Sequence, residues 1–149
     1  KGEYPWHQKN KRMKKQSKLQ YPIVLALSCM LASSAFTDPQ IPWVAPEAVN
    51  KVENALPHSA EVVSLGKKLY ESTCWTCHGL DGKGDGPAAA TLRVKPADHT
   101  SLKIQSESDG AIFWKISTGR GDMQAYNKLF TVRERWALVH YIRSLSSKR

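Results

Sequence analysis

The stretch Cys74-Trp75-Thr76-Cys77-His78 decides how this chain of 149 residues is read. It is C-x-x-C-H, the attachment signature of c-type haem. The spacing has a chemical reason. Two thiols have to reach the two vinyl groups on one edge of a porphyrin and form thioethers. The adjacent imidazole then arrives beneath the iron as its proximal ligand. Cys74 and Cys77 are therefore the expected covalent attachment points of one haem c, and His78 is an expected iron ligand. Two competing readings use the same residues. A redox-active dithiol needs only Cys-x-x-Cys and has no use for His78. A structural zinc site wants four protein ligands, and the sequence offers no second cysteine pair and no H-x-x-x-H.

Downstream runs Gly79-Leu80-Asp81-Gly82-Lys83-Gly84-Asp85-Gly86-Pro87-Ala88-Ala89-Ala90. Glycines this dense oppose a regular helix and favour a tight surface loop. A phosphate cradle would need a strand before it and a helix after it, or a Lys-Ser/Thr pair, and neither is present. Close passage of the backbone beside a flat macrocycle is the expected reason for the small residues.

Together with Lys95-Pro96-Ala97-Asp98, these motifs make residues 58–146 similar to the small monohaem class I cytochromes c of bacterial respiratory chains. The resemblance implies an all-α cytochrome c fold, with three to five short helices wrapped around one covalently attached haem c. It also implies a methionine from a later loop as the sixth iron ligand. Met13 and Met30 fall in the N-terminal segment, and Met123 stands in Gly119-Arg120-Gly121-Asp122-Met123-Gln124-Ala125-Tyr126. That loop resembles the family's G-x-G-x-M-P-x-aromatic, with Gln124 where the family has proline. His58, His99 and His140 are rival sixth ligands, His99 foremost, and Met123 as an ordinary packing residue is the remaining alternative.

The function implied is single-electron transfer. A His78/Met123 pair would leave iron no open position, and a thioether ligand favours the reduced state. No catalytic constellation stands beside the site, so the chain reads as a carrier rather than an enzyme. The alternative is a haem c subunit of a larger oxidase or periplasmic dehydrogenase complex. Partners would be redox proteins, donor and acceptor, and a free carrier would be a monomer. Lys67, Lys68, Lys83, Lys95 and Lys103 are candidates for steering such partners by charge.

Helical periodicity frames the motif. Ser59 to Thr73 reads as a helix capped by Ser59, with Val62, Val63, Leu65, Leu69 and Tyr70 on its apolar side. Thr131 to Leu145 reads as another, with Thr131 and Glu134 forming a capping box. By resemblance, Gly66 lets these two helices cross closely, with Gly66 and Tyr70 meeting Leu138 and Tyr141. A middle helix is expected over Ser108 to Thr118, with Ile112, Phe113 and Ile116 inward and Trp114 facing either the haem or ordinary core.

The N-terminal third reads differently. Residues 1–35 carry seven basic side chains against one acid, within a formal charge of +9 for the chain. A basic run at Met13-Lys14-Lys15, an apolar run from Ile23 to Ala32 and small residues to Ala35 follow the order of a secretory leader, with Met13 as the expected initiator. The apolar run is shorter than the roughly 20 residues a membrane span requires. Cleavage after Ala35 would make the domain exported and periplasmic. Lipidation of Cys29 would instead make it membrane-associated. Residues 36–57, with four prolines, read as an extended lead-in, and 58–149 as the cytochrome c domain. Without the leader the charge is only +3, with no basic stripe of the kind a nucleic-acid module needs.

Overall fold

The structure is a computed structural model, and it describes residues 42–148. The leader, with Met13, Cys29 and Met30, lies outside the described residues. Five α-helical segments follow one another: α1 Ala60–Leu69, α2 Trp75–His78, α3 Leu102–Gln105, α4 Asp109–Thr118 and α5 Val132–Ser144. Short 3-10 turns occur at Glu47–Lys51, Ala89–Thr91 and Leu145–Lys148. Among the described residues there is no strand, only an isolated antiparallel bridge between Arg120 and Met123. No described helix is long and apolar enough to cross a membrane.

The helix ends form where the sequence signals them. Ser59 Oγ accepts from Val62 N–H, Ser108 Oγ from Ala111 N–H, and Thr131 with Glu134 closes a capping box in both directions. Each cap satisfies an amide that the first turn leaves without a partner. The interior of the first predicted helix departs from regularity. After Leu69 the chain widens into a π-helical turn, Tyr70–Cys74, in which Trp75 N–H reaches back five residues to the Tyr70 carbonyl. Periodicity alone does not reveal an inserted residue of this kind.

α1 and α5 cross at Gly66. A Cβ on Gly66 would lie 2.1 Å from the Ala137 carbonyl oxygen and 2.9 Å from Tyr141 Cβ. The crossing partner on α5 is thus Ala137 together with Tyr141. Around the crossing lies one apolar cluster including Tyr70, Ile112, Ile116, Trp136, Leu138 and Ile142. Phe113 stacks on Trp136 with centroids 4.0 Å apart. Arg135 lies over the Phe113 ring and donates to Ser117 Oγ. Because the atoms a Cβ on Gly66 would meet are the Ala137 backbone and Tyr141 Cβ, neither the far end of a flexible side chain, Gly66→Val must push α1 and α5 apart. The expected loss is about 3 kcal/mol. For a domain of this size that is a fall of roughly 12 °C or more in the thermal midpoint, read by circular dichroism.

The lead-in is more than an extended strap. It contains the Glu47–Lys51 turn and is fastened along α4 and α5. Trp43 meets Trp114 at 6.3 Å, which is where Trp114 packs, and Ser108 Oγ donates to Asn50 Oδ1 at 3.1 Å. Asn54 Nδ2 donates to the Trp136 carbonyl at 3.1 Å, and His140 Nε2 to the Leu56 carbonyl at 2.9 Å.

Candidate functional site

The C-x-x-C-H segment sits where the π-helical turn hands over to α2. Cys74 and Cys77 form no disulfide and are both partly buried. Burial, reinforced by the neighbouring Cys77, pushes the Cys74 thiol up to about 12, so it stays neutral. α2 is only one turn long, and its carbonyls are claimed by the loop that follows. Gly84 N–H donates to the His78 carbonyl at 2.8 Å, Gly86 N–H to Cys77 at 3.1 Å, and Ala88 N–H to Thr76 at 2.9 Å. These contacts give the loop glycines a role within the chain itself. A Cβ on Gly86 would stand 2.4 Å from the carbonyl oxygens of both Trp75 and Thr76. The small residue is needed for close approach to the end of its own helix.

His78 is the best-defined member of the site. Its Nδ1 lies 3.0 Å from the Ala97 carbonyl oxygen. A carbonyl can only accept, so Nδ1 carries the proton and Nε2 keeps its lone pair. Such a bond fixes both tautomer and ring orientation in a metal-ligating histidine. Burial holds the imidazole below its ordinary pKa, against the upward pull of the Ala97 bond. The ring is therefore neutral and able to ligate. Ala97 is placed by the turn that follows it, in which Asp98 Oδ1 accepts from Thr100 N–H at 2.8 Å and from Thr100 Oγ1 at 2.7 Å.

Met123 sits at the closing position of a tight turn. Arg120 N–H donates to the Met123 carbonyl at 2.8 Å, and Met123 N–H to the Arg120 carbonyl at 3.0 Å. Gly119 and Gly121 take φ of 61° and 58°, in the left-handed region that glycine enters without penalty. The base of the loop is pinned to α4 by Tyr126 N–H on the Ile116 carbonyl at 3.0 Å. Its tip is held by Asp122, which accepts from Arg93 N–H at 3.1 Å and from the Arg93 guanidinium at 3.2 Å. Met123, Cys74 and Trp75 all pack against the central cluster. Burial raises the Tyr126 phenol, with a bond from Gln124 working downward and Cys74 and Cys77 adding to the rise. The methionine loop and the cysteine turn thus border the same core cluster.

Of the rival histidines, two meet each other and one lies beside His78. His58 and His140 meet edge to face at 5.2 Å on the lead-in side of α5. His99 is buried and stacks face to face on His78, with centroids 4.1 Å apart and planes within 19°. Two ligands on opposite sides of one iron point their nitrogens at each other, whereas these rings lie flank to flank.

The residues present suit haem c by the chemistry of their donors: two unoxidised thiols on one helical turn, a neutral imidazole with a lone pair available, and a thioether on a pinned loop. Sequence reasoning met Ala97 only as part of a motif and gave it no role, because a backbone carbonyl leaves no mark on residue type. It also passed over the contact of Asp122 with Arg93, which joins positions 29 residues apart.

The chain is similar to known proteins over much of its length. The family model for cytochrome c matches residues 63–146. No curated protein matches the chain. Among solved structures, a chain of the Kuenenia stuttgartiensis reducing HAO-like protein complex is 34% identical, with a TM-score of 0.56. The match covers 63% of this chain and 49% of that one, so this chain spans about half the length of its structural relative. The matched span begins within α1, runs through the C-x-x-C-H turn and the methionine loop, and ends just beyond α5; the chain accordingly belongs to the cytochrome c family of electron-transfer proteins, and its cofactor is covalently bound haem c.

Proposed function

We propose that Cys74 and Cys77 hold haem c as thioethers, that His78 and Met123 are the two axial iron ligands, and that the domain passes single electrons without catalysing a reaction of its own. The observation that carries this reading is the bond from His78 Nδ1 to the Ala97 carbonyl, which leaves the Nε2 lone pair available to an iron. Bound there, haem c supplies an iron that alternates between ferrous and ferric states. His78 and Met123 would fill both axial positions and leave none for oxygen, peroxide or a substrate. The doubly bonded turn at Arg120 and Met123 supports the same reading, because a pinned ligand moves little between redox states. Small reorganisation suits a carrier.

The partners in this reading are redox proteins. The structural relative belongs to a multi-protein complex, which supports docking to other chains. The domain would work outside the cytoplasm, as the leader composition of residues 1–35 suggests. Mass spectrometry of the mature chain tests that point: an N-terminus at Phe36 is expected, while diacylglycerol on Cys29 would establish a membrane-tethered form.

A reduced-minus-oxidised visible spectrum with the pyridine haemochrome tests the central claim. One haem c per chain is expected, with low-spin bands in both states and no change when carbon monoxide is added to the reduced protein. Immediate binding of carbon monoxide would show an open axial position and overturn the carrier assignment.

A further inference from the structure

We propose that His99 is a positioning residue for the proximal iron ligand: its flat ring, braced by Tyr70, fixes the plane in which the His78 imidazole stands. The inference rests on His78 being that ligand. The hydrogen bond from Nδ1 to Ala97 tethers the His78 ring at one edge. A ring held at a single edge can swing about that edge. His99 closes the swing from the side, lying parallel within 19° at a centroid distance of 4.1 Å.

His99 is itself fixed on several sides. Its backbone N–H donates to the Gly82 carbonyl at 2.6 Å, and its backbone carbonyl accepts from Gln105 Nε2 at 2.6 Å. The same Gln105 amide reaches the Ile142 carbonyl on α5 at 3.0 Å. The Tyr70 hydroxyl hydrogen-bonds His99 Nδ1 at 3.2 Å, and the two rings meet edge to face. Tyr70 has no exposed surface and lies 5.1 Å from the Tyr141 ring, beside the crossing of α1 and α5. The helix crossing therefore sets Tyr70, Tyr70 sets His99, and His99 sets the face of His78. Outer partners of this kind orient metal-bound histidines in general.

The plane of an axial imidazole decides which iron d orbital mixes with the porphyrin π system. That mixing sets the order and spread of the haem methyl resonances in the oxidised protein. Paramagnetic proton NMR on full-length holoprotein therefore reads the proposed role directly. His99→Leu should reorder the methyl shifts, whereas His99→Phe, which keeps a flat ring, should retain the wild-type order. Tyr70→Phe should move the shifts in the same sense as His99→Leu by a smaller amount. A wild-type pattern in His99→Leu, or equal disturbance in the Leu and Phe variants, would overturn the proposal. If His99→Leu fails to hold haem, Tyr70→Phe decides, and an unshifted pattern there overturns it. A haem spectrum that His78→Ala leaves unchanged would instead remove the His78 assignment itself, so the two failures are told apart.

Discussion

Met123→Ala is expected to strip the oxidised protein of its weak sulfur-to-iron absorption at the red end of the visible spectrum and to let cyanide or carbon monoxide bind. The absorption needs a thioether on ferric iron, and Met123 is the one methionine among the described residues. Alanine cannot reach the metal, and the loop cannot easily supply another ligand. Its two backbone bonds between Arg120 and Met123 close a turn too tight to slide by a residue. The reduction potential should fall, because a thioether stabilises the ferrous state more than the ferric one. Axial ligands as a class command about 0.8 V, and a fall on the order of 100 mV is expected, measured by redox titration. Met123→His should keep a six-coordinate iron, again without the sulfur band and at lower potential. The rival ligand makes the opposite forecast. If His99 were axial, His99→Ala would open the iron and Met123→Ala would change nothing. An unchanged spectrum in Met123→Ala would sink the His78/Met123 pair and with it the closed-site argument for a carrier.

The parts of this molecule that sequence showed are those in which residue type acts locally. A cap is a hydroxyl followed three residues later by an amide, so Ser59 and Thr131 could be read directly and stand at the starts of α1 and α5, and Ser108 caps α4 where a helix was expected to begin. Gly66 was legible as a closeness signal, although its Cβ would meet Ala137 first rather than Leu138. What stayed hidden depends on backbone or on distance along the chain. The π-helical turn at Tyr70–Cys74 changes hydrogen-bond register without changing composition. Ala97 contributes a carbonyl that any residue could offer. His99 was readable as an imidazole near the site, but its side of the iron was not, because stacking on His78 is settled by Gly82, Gln105 and Tyr70 together. The four prolines of the lead-in suggested an extended strap, yet a 3-10 turn fits between Pro46 and Val52 because Glu47–Lys51 contains no proline.

Replacing both cysteines, Cys74→Ser with Cys77→Ser, should turn a covalent haem protein into one that loses its haem on denaturation. Acid–acetone extraction should leave nearly all haem with the wild-type chain and remove nearly all of it from the double variant. Cys77→Ala alone should fall between, since Cys74 can still form one thioether. The physical effect reaches beyond attachment. A tether turns ligation by His78 into an intramolecular event, at an effective concentration in the mM range for a short link. Without it, the bonds to His78 and Met123 must hold the group against dilution. The domain is small and its core correspondingly thin, and Cys74 and Met123 both pack against that core. Loss of the macrocycle between them should therefore loosen α1 against α5 and lower helicity in far-ultraviolet circular dichroism. Adding haemin to the double variant separates the two contributions. Recovered helicity with extractable haem would show that the thioethers act by retention, leaving the fold to the axial ligands. Haem that stays fully bound to the denatured double variant would mean that the attachment lies elsewhere, and the reading of Cys74 and Cys77 would be wrong.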